Sequence, residues 1–144
     1  MNDSITKERI LTHSIDKVWS AITKAEELST WFVRANFKAE VGYQYSFDSL
    51  DETEDCSTII GEVLTAKPYT LSYTWIVKDI PETTTTVTWR LEAVEGGTKL
   101  HLEHSGISNY SGDTAVTWFN NFSGGWTHCM EGLENYLKQM VNAG

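Results

Sequence analysis

One histidine and a set of large aromatic residues are the positions in this chain that could do chemistry. His104 lies in the run Lys99-Leu100-His101-Leu102-Glu103-His104. Strand alternation puts His104 on the same side as Leu100 and Leu102, facing inward, and His101 on the opposite side. A neutral inward imidazole donates one hydrogen bond and accepts another. It can orient a ligand, or it can be a core histidine satisfied by backbone or buried water. The two histidines cannot share a metal from one straight strand. Trp75, Trp89, Trp118, Phe122 and Trp126 could wall an apolar cavity, with Tyr45 and Tyr73 adding hydroxyl groups. The same rings could equally fill an aromatic core.

Other polar groups offer less. Asp48, Asp51, Glu52, Glu54 and Asp55 form an acidic run. It lacks the central Gly and terminal Glu of a calcium loop, and a solvated hairpin loop explains it. His128 and Glu131 fall one helical turn apart without the second histidine of HExxH. Cys56 and Cys129 form no CxxC and no disulfide framework. Cys129 falls on an apolar stripe and reads as a buried, inert thiol. No nucleophile elbow, phosphate loop or dinucleotide fingerprint occurs. The expectation is no metal, no cofactor and no catalytic residue.

Elements must bring these residues together, and the hydrophobic period shows which. Ile5 to Thr12 reads as a strand. Ser14 reads as the N-cap of a short helix with Asp16 in its first turn and Ile15, Val18, Trp19 and Ile22 on its apolar face. Thr23-Lys24-Ala25-Glu26 has the form of a capping box and starts a second short helix through Leu28 towards Trp31 and Phe32. From Phe37 to Ile107 the period is two. Tyr43, Tyr45 and Phe47 form one such face. Ile59, Gly61 and Val63 form another, as do Leu71, Tyr73, Trp75 and Val77, then Val87, Trp89 and Leu91, then Leu100, Leu102 and His104. Turn signals separate these runs at the acidic stretch, Lys67-Pro68, Asp79-Ile80-Pro81 and Gly96-Gly97. At least six strands result, counting the first, in an antiparallel meander.

After Ile107 the period lengthens to that of a helix, from about Thr114 to Met140, with Asp113 as a plausible N-cap. Its apolar stripe holds Trp118, Phe122, Trp126, Cys129, Leu133 and Leu137. At 1.5 Å per residue this helix is about 40 Å long. Gly124-Gly125 interrupts it at a cost of roughly 2 kcal/mol for the pair. Either close packing on a strand or a kink would account for them. One apolar sheet face covered by one long helix is an α+β fold.

Length and charge narrow the function. The chain has 144 residues and reads as one domain, 1–144, with no repeat and no linker. Its 40% hydrophobic and 22% charged residues are ordinary globular composition, whereas six Trp, six Tyr and five Phe are many for this length. A formal net charge of −9 with no basic cluster argues against nucleic acid and against an anionic membrane as partners. No signal-peptide-like run and no stretch of about 18 apolar residues is present, which points to the cytoplasm.

Several segments together resemble a known family. His13-Ser14-Ile15-Asp16-Lys17-Val18-Trp19 and Leu28-Ser29-Thr30-Trp31-Phe32 look like the opening of the START-like, or birch-pollen-allergen-like, superfamily. The similarity continues through Gly42-Tyr43-Gln44-Tyr45-Ser46-Phe47, Gly61-Glu62-Val63 and Leu71-Ser72-Tyr73-Thr74-Trp75. It extends through Gly97-Thr98-Lys99-Leu100-His101-Leu102, His104-Ser105-Gly106 and Gly125-Trp126, with Leu133, Tyr136 and Leu137 behind. The branch it resembles most is the activator of heat-shock-protein-90 ATPase homologue family. The resemblance implies a helix-grip fold, with a curved antiparallel sheet around the C-terminal helix and a cavity between them. It also implies small apolar ligands. Three functions follow as expectations: non-enzymatic binding of a small apolar molecule, a co-chaperone-like module acting on a protein client, or a cyclase- or hydrolase-like enzyme in the same cavity.

Overall fold

The computed structural model describes residues 4–32, 34–48, 58–78, 80–110 and 114–143. Seven strands form one antiparallel sheet: β1 (Ile5–Leu11), β2 (Arg34–Asn36), β3 (Gln44–Asp48), β4 (Ile59–Lys67), β5 (Thr70–Val77), β6 (Thr85–Val94) and β7 (Gly97–Ser105). Their spatial order is β1-β7-β6-β5-β4-β3-β2. Strands β3 to β7 are the meander that alternation predicted. β1 closes it on one side, with Ile5 opposite His104 and Leu11 opposite Thr98. β2 is an addition: three residues between the second helix and the meander are too short to show a period of two. It pairs with β3, Ala35 opposite Phe47.

The helices are α1 (Ile15–Thr23), α2 (Ala25–Trp31) and α3 (Thr114–Ala143), with a short 3-10 turn at Ile107–Asn109. The curved sheet with a long C-terminal helix and short helices after the first strand is the expected α+β helix-grip fold. Ser14 caps α1 by accepting from the backbone N–H of Lys17 at 3.3 Å. The capping box does not form. Thr23 is the last residue of α1, and its hydroxyl donates to the Trp19 carbonyl at 2.7 Å. Lys24 takes the N-cap position of α2 with no side-chain hydrogen bond. The hydroxyl prefers the carbonyl one turn back because α1 runs one residue further than the pattern implied. α3 is helical through Gly124 and Gly125. Asp113, Cys56 and the acidic positions 51–55 lie outside the described residues.

The core lies between the inner face of the sheet and the helices. Val18, Ile22, Leu28, Leu71, Val87, Leu100, Leu102, Leu133 and Leu137 are all buried there. Two basic residues of β1 also face α3. Lys7 donates to the Ser123 hydroxyl at 3.1 Å, and Arg9 pairs with Glu134 at 3.1 Å. Inward charges on an edge strand discourage pairing with another sheet. Tyr136 donates to Glu27 at 2.9 Å and ties α3 to α2. No described helix is long and apolar enough to cross a membrane.

Candidate ligand cleft under the C-terminal helix

His104 organises the aromatic interior. Its place on β7 makes it fully buried. The Trp126 indole N–H donates to Nδ1 at 2.9 Å, so Nδ1 accepts and the proton sits on Nε2. Nε2 then donates to the Thr85 hydroxyl at 2.7 Å. Thr85 in turn donates to the Trp75 carbonyl at 3.2 Å. Four residues on β5, β6, β7 and α3 thus form one continuous relay. Burial holds the His104 pKa down at about 3, so the ring is neutral in ordinary conditions. The inward direction follows the alternation. Its partners are a side chain of α3 and one of β6, in place of backbone or water.

Trp126 is the centre of the ring cluster. It packs against Trp75 at 5.3 Å, Trp89 at 5.8 Å, His104 at 5.9 Å and Phe32 at 6.1 Å between centroids. Phe122 lies 4.7 Å from His104 and 5.3 Å from Trp118, and Trp118 stacks on Tyr110 at 5.0 Å. These are ordinary aromatic spacings. Where α3 passes this cluster, a cleft of about 140 Å³ remains between Phe32, Trp75, Asn121, Phe122, Gly125 and Trp126. A methyl group built on Gly125 would meet nothing within 4 Å, and the same holds at Gly124. The close-packing account of these glycines therefore fails: the helix stands clear of its neighbours there.

The eight residues expected at a cavity divide by place. Trp75, Phe122 and Trp126 border the cleft. His104 lies behind it, in contact with all three. Trp89 is buried deeper and donates its indole N–H to the Tyr73 hydroxyl at 2.9 Å. Burial pushes the Tyr73 phenol well above its usual range. Tyr45 is remote. Its ring lies against Gly61, and its hydroxyl donates to the Thr74 carbonyl at 2.5 Å. Trp118 is half-buried on the Tyr110–Phe122 stack, outside the cleft wall. Phe32, Asn121 and Gly125 were missed as wall residues. For Phe32 a signal existed, because the second short helix ends on an apolar pair facing the core.

Two buried polar atoms have no partner among the described residues: Trp75 Nε1 and the Tyr110 hydroxyl. Among the same residues no cluster of three metal-ligating side chains occurs. Cys129 is buried, and burial pushes its thiol up, away from the reactive thiolate. His128 and Glu131 both lie on the exposed side of α3.

A second, larger hollow of about 640 Å³ lies on the opposite face of the sheet, across β3, β4 and β5. Gln44, Ser46, Glu62 and Thr74 mix there with Ile60, Leu64 and Ile76. It is shallow and polar at its rim. The smaller cleft is the better ligand candidate because its walls are rings and one carries an unsatisfied donor.

Comparison with known proteins agrees with this architecture. The family model for activator of Hsp90 ATPase homolog 1-like protein matches residues 12–138. The crystal structure of protein MLL2253 from Mesorhizobium loti has 28% identity and a TM-score of 0.80, over 94% of this chain and 97% of that one. The solution structure of BH1534 from Bacillus halodurans has 26% identity and a TM-score of 0.72, over 92% and 95%. DynU16, from the dynemicin biosynthetic locus, shares the fold at 20% identity and a TM-score of 0.80. It aligns with 96% of this chain, which spans 48% of its length. No curated protein matches the sequence.

Proposed function

Because the chain belongs to the activator of Hsp90 ATPase homolog 1-like family, we propose that it is a binding protein for a small, largely apolar molecule. The ligand sits in the cleft between Trp75 on the sheet and Phe122 and Trp126 on α3. The observation that carries this reading is the ring-walled cleft itself, kept open where α3 stands clear of its neighbours at Gly125. His104, Trp89, Tyr73 and Trp118 hold the walls, and Tyr45 holds the sheet behind them. A volume of about 140 Å³ accommodates one ring or a short branched chain. Larger ligands extend past Asn121 into solvent.

Binding is favoured over catalysis because an enzyme needs an acid and a base converging on the substrate. Both nitrogens of His104 are engaged by Trp126 and Thr85. The test is native mass spectrometry of freshly purified protein, followed by tryptophan quenching with single-ring apolar probes. Saturable quenching is expected. Quenching that rises linearly with probe, with no retained mass, would sink the proposal.

A second reading, a protein-client module of the cytoplasm, draws on the family's printed description and on the outer hollow with its exposed Leu64. It predicts that the chain raises the ATPase rate of an Hsp90 and that Leu64→Lys abolishes the effect. An unchanged rate would remove it.

A further inference from the structure

The cleft has one feature that an apolar occupant alone leaves unexplained. Trp75 is 7% exposed, it borders the cleft, and its indole Nε1 has no hydrogen-bond partner among the described residues. Buried donors are almost always paired, because an unpaired one has lost water and gained nothing. The other nearby donors are already committed: Trp126 Nε1 to His104, Trp89 Nε1 to Tyr73, and His104 Nε2 to Thr85. None of the six wall residues carries a charge. The wall therefore lacks an acceptor for this N–H, and it lacks a counter-ion for a charged guest.

We propose that the cleft selects an uncharged, compact carbonyl compound, such as an aryl or cyclic ketone or ester, whose oxygen accepts from Trp75 Nε1. The inference rests on the cleft being the ligand site and adds the chemistry of its occupant. The ring of the ligand packs among Phe32, Phe122 and Trp126. An ionised carboxylate is rejected, since it would lose its hydration with no cation to replace it. A pure hydrocarbon fits the walls and leaves the donor unpaired.

Acetophenone and ethylbenzene are probes of nearly equal shape that differ at the carbonyl. The experiment titrates each into the full chain, labelled with nitrogen-15, and follows the indole N–H signals and the affinity. Trp75→Phe assigns the Trp75 signal by its loss and removes the donor while keeping a ring. Acetophenone should move the Trp75 indole proton downfield, and ethylbenzene should not. Trp75→Phe should weaken acetophenone by about 3- to 10-fold relative to ethylbenzene, the size of one hydrogen bond. Should the variant fail to fold, the wild-type indole shifts, assigned through their contacts to neighbouring protons, decide the question alone. If both probes bind in the cleft with no distinct Trp75 shift and an unchanged affinity ratio, the carbonyl preference is wrong and the cleft remains a ligand site. If neither probe perturbs Trp75, Phe122 or Trp126, the ligand site and the carbonyl preference fall together.

Discussion

His104 is neutral because it is buried, and that has a consequence in acid. A histidine in the unfolded chain titrates near 6.5, whereas burial lowers the folded value to about 3. Above the unfolded value both states are neutral, and the ring adds no pH dependence. Below it the unfolded chain binds a proton that the folded chain refuses, so stability falls as pH drops towards 3. The expected loss is about 1.4 kcal/mol per pH unit. Between pH 5.5 and 4.5 the wild type should lose that much more than His104→Gln in urea titrations, and parallel losses would show that the ring titrates normally. Trp126→Phe keeps a ring and removes the donor to Nδ1. It should cost about 1–3 kcal/mol through the orphaned acceptor, measured by the urea midpoint. That His104 faces inward was legible, because alternation fixes a face. That it meets Thr85 and Trp126 was not, because alternation carries no information about the register of β6 against β7 or the rotation of α3.

Glycines separate two elements that differ in what they tolerate. In β4, a methyl group on Gly61 would stand 2.1 Å from the Thr74 carbonyl oxygen and 2.8 Å from the Tyr45 ring. The contact with backbone cannot be relieved by a rotamer. Gly61→Ala should therefore destabilise by about 3 kcal/mol or more, read from thermal or urea unfolding. In α3 the expectation reverses. Gly124 and Gly125 are exposed and have open space around them. Alanine at both should stabilise by up to roughly 2 kcal/mol from helix propensity. Only Gly125 borders the cleft. Gly125→Ala should therefore slow ligand exchange or weaken binding, while Gly124→Ala leaves both unchanged. Equal effects on binding from the two substitutions would contradict the placement of the cleft. The long period of α3 and the alternation of β3 to β7 were plain in the sequence, being repeated many times. β2 and the failed capping box were not, since each depends on one or two residues whose hydrogen bonds are settled by neighbours.

At the scale of the molecule, the strand order β1-β7-β6-β5-β4-β3-β2 joins the beginning of the chain to its end. A bound ligand should stabilise the whole unit, because sheet and α3 both contact it. At about 100 times the dissociation constant the gain is about 2.7 kcal/mol, which a thermal scan with and without probe will show. Strands β3 to β7 pair with sequence neighbours and can zip together as they leave the ribosome. β1 has no such neighbour: its strand partner is β7, with Leu11 opposite Thr98 and Ile5 opposite His104. Synthesis is vectorial, so the first strand made is among the last to be paired. Closing so long a loop is slow on entropic grounds, and the nascent chain must keep Ile5 and Leu11 from other partners in the meantime. A nascent chain stalled before Gly97 would hold a finished hairpin array and an orphan first strand, the form most in need of a holding chaperone.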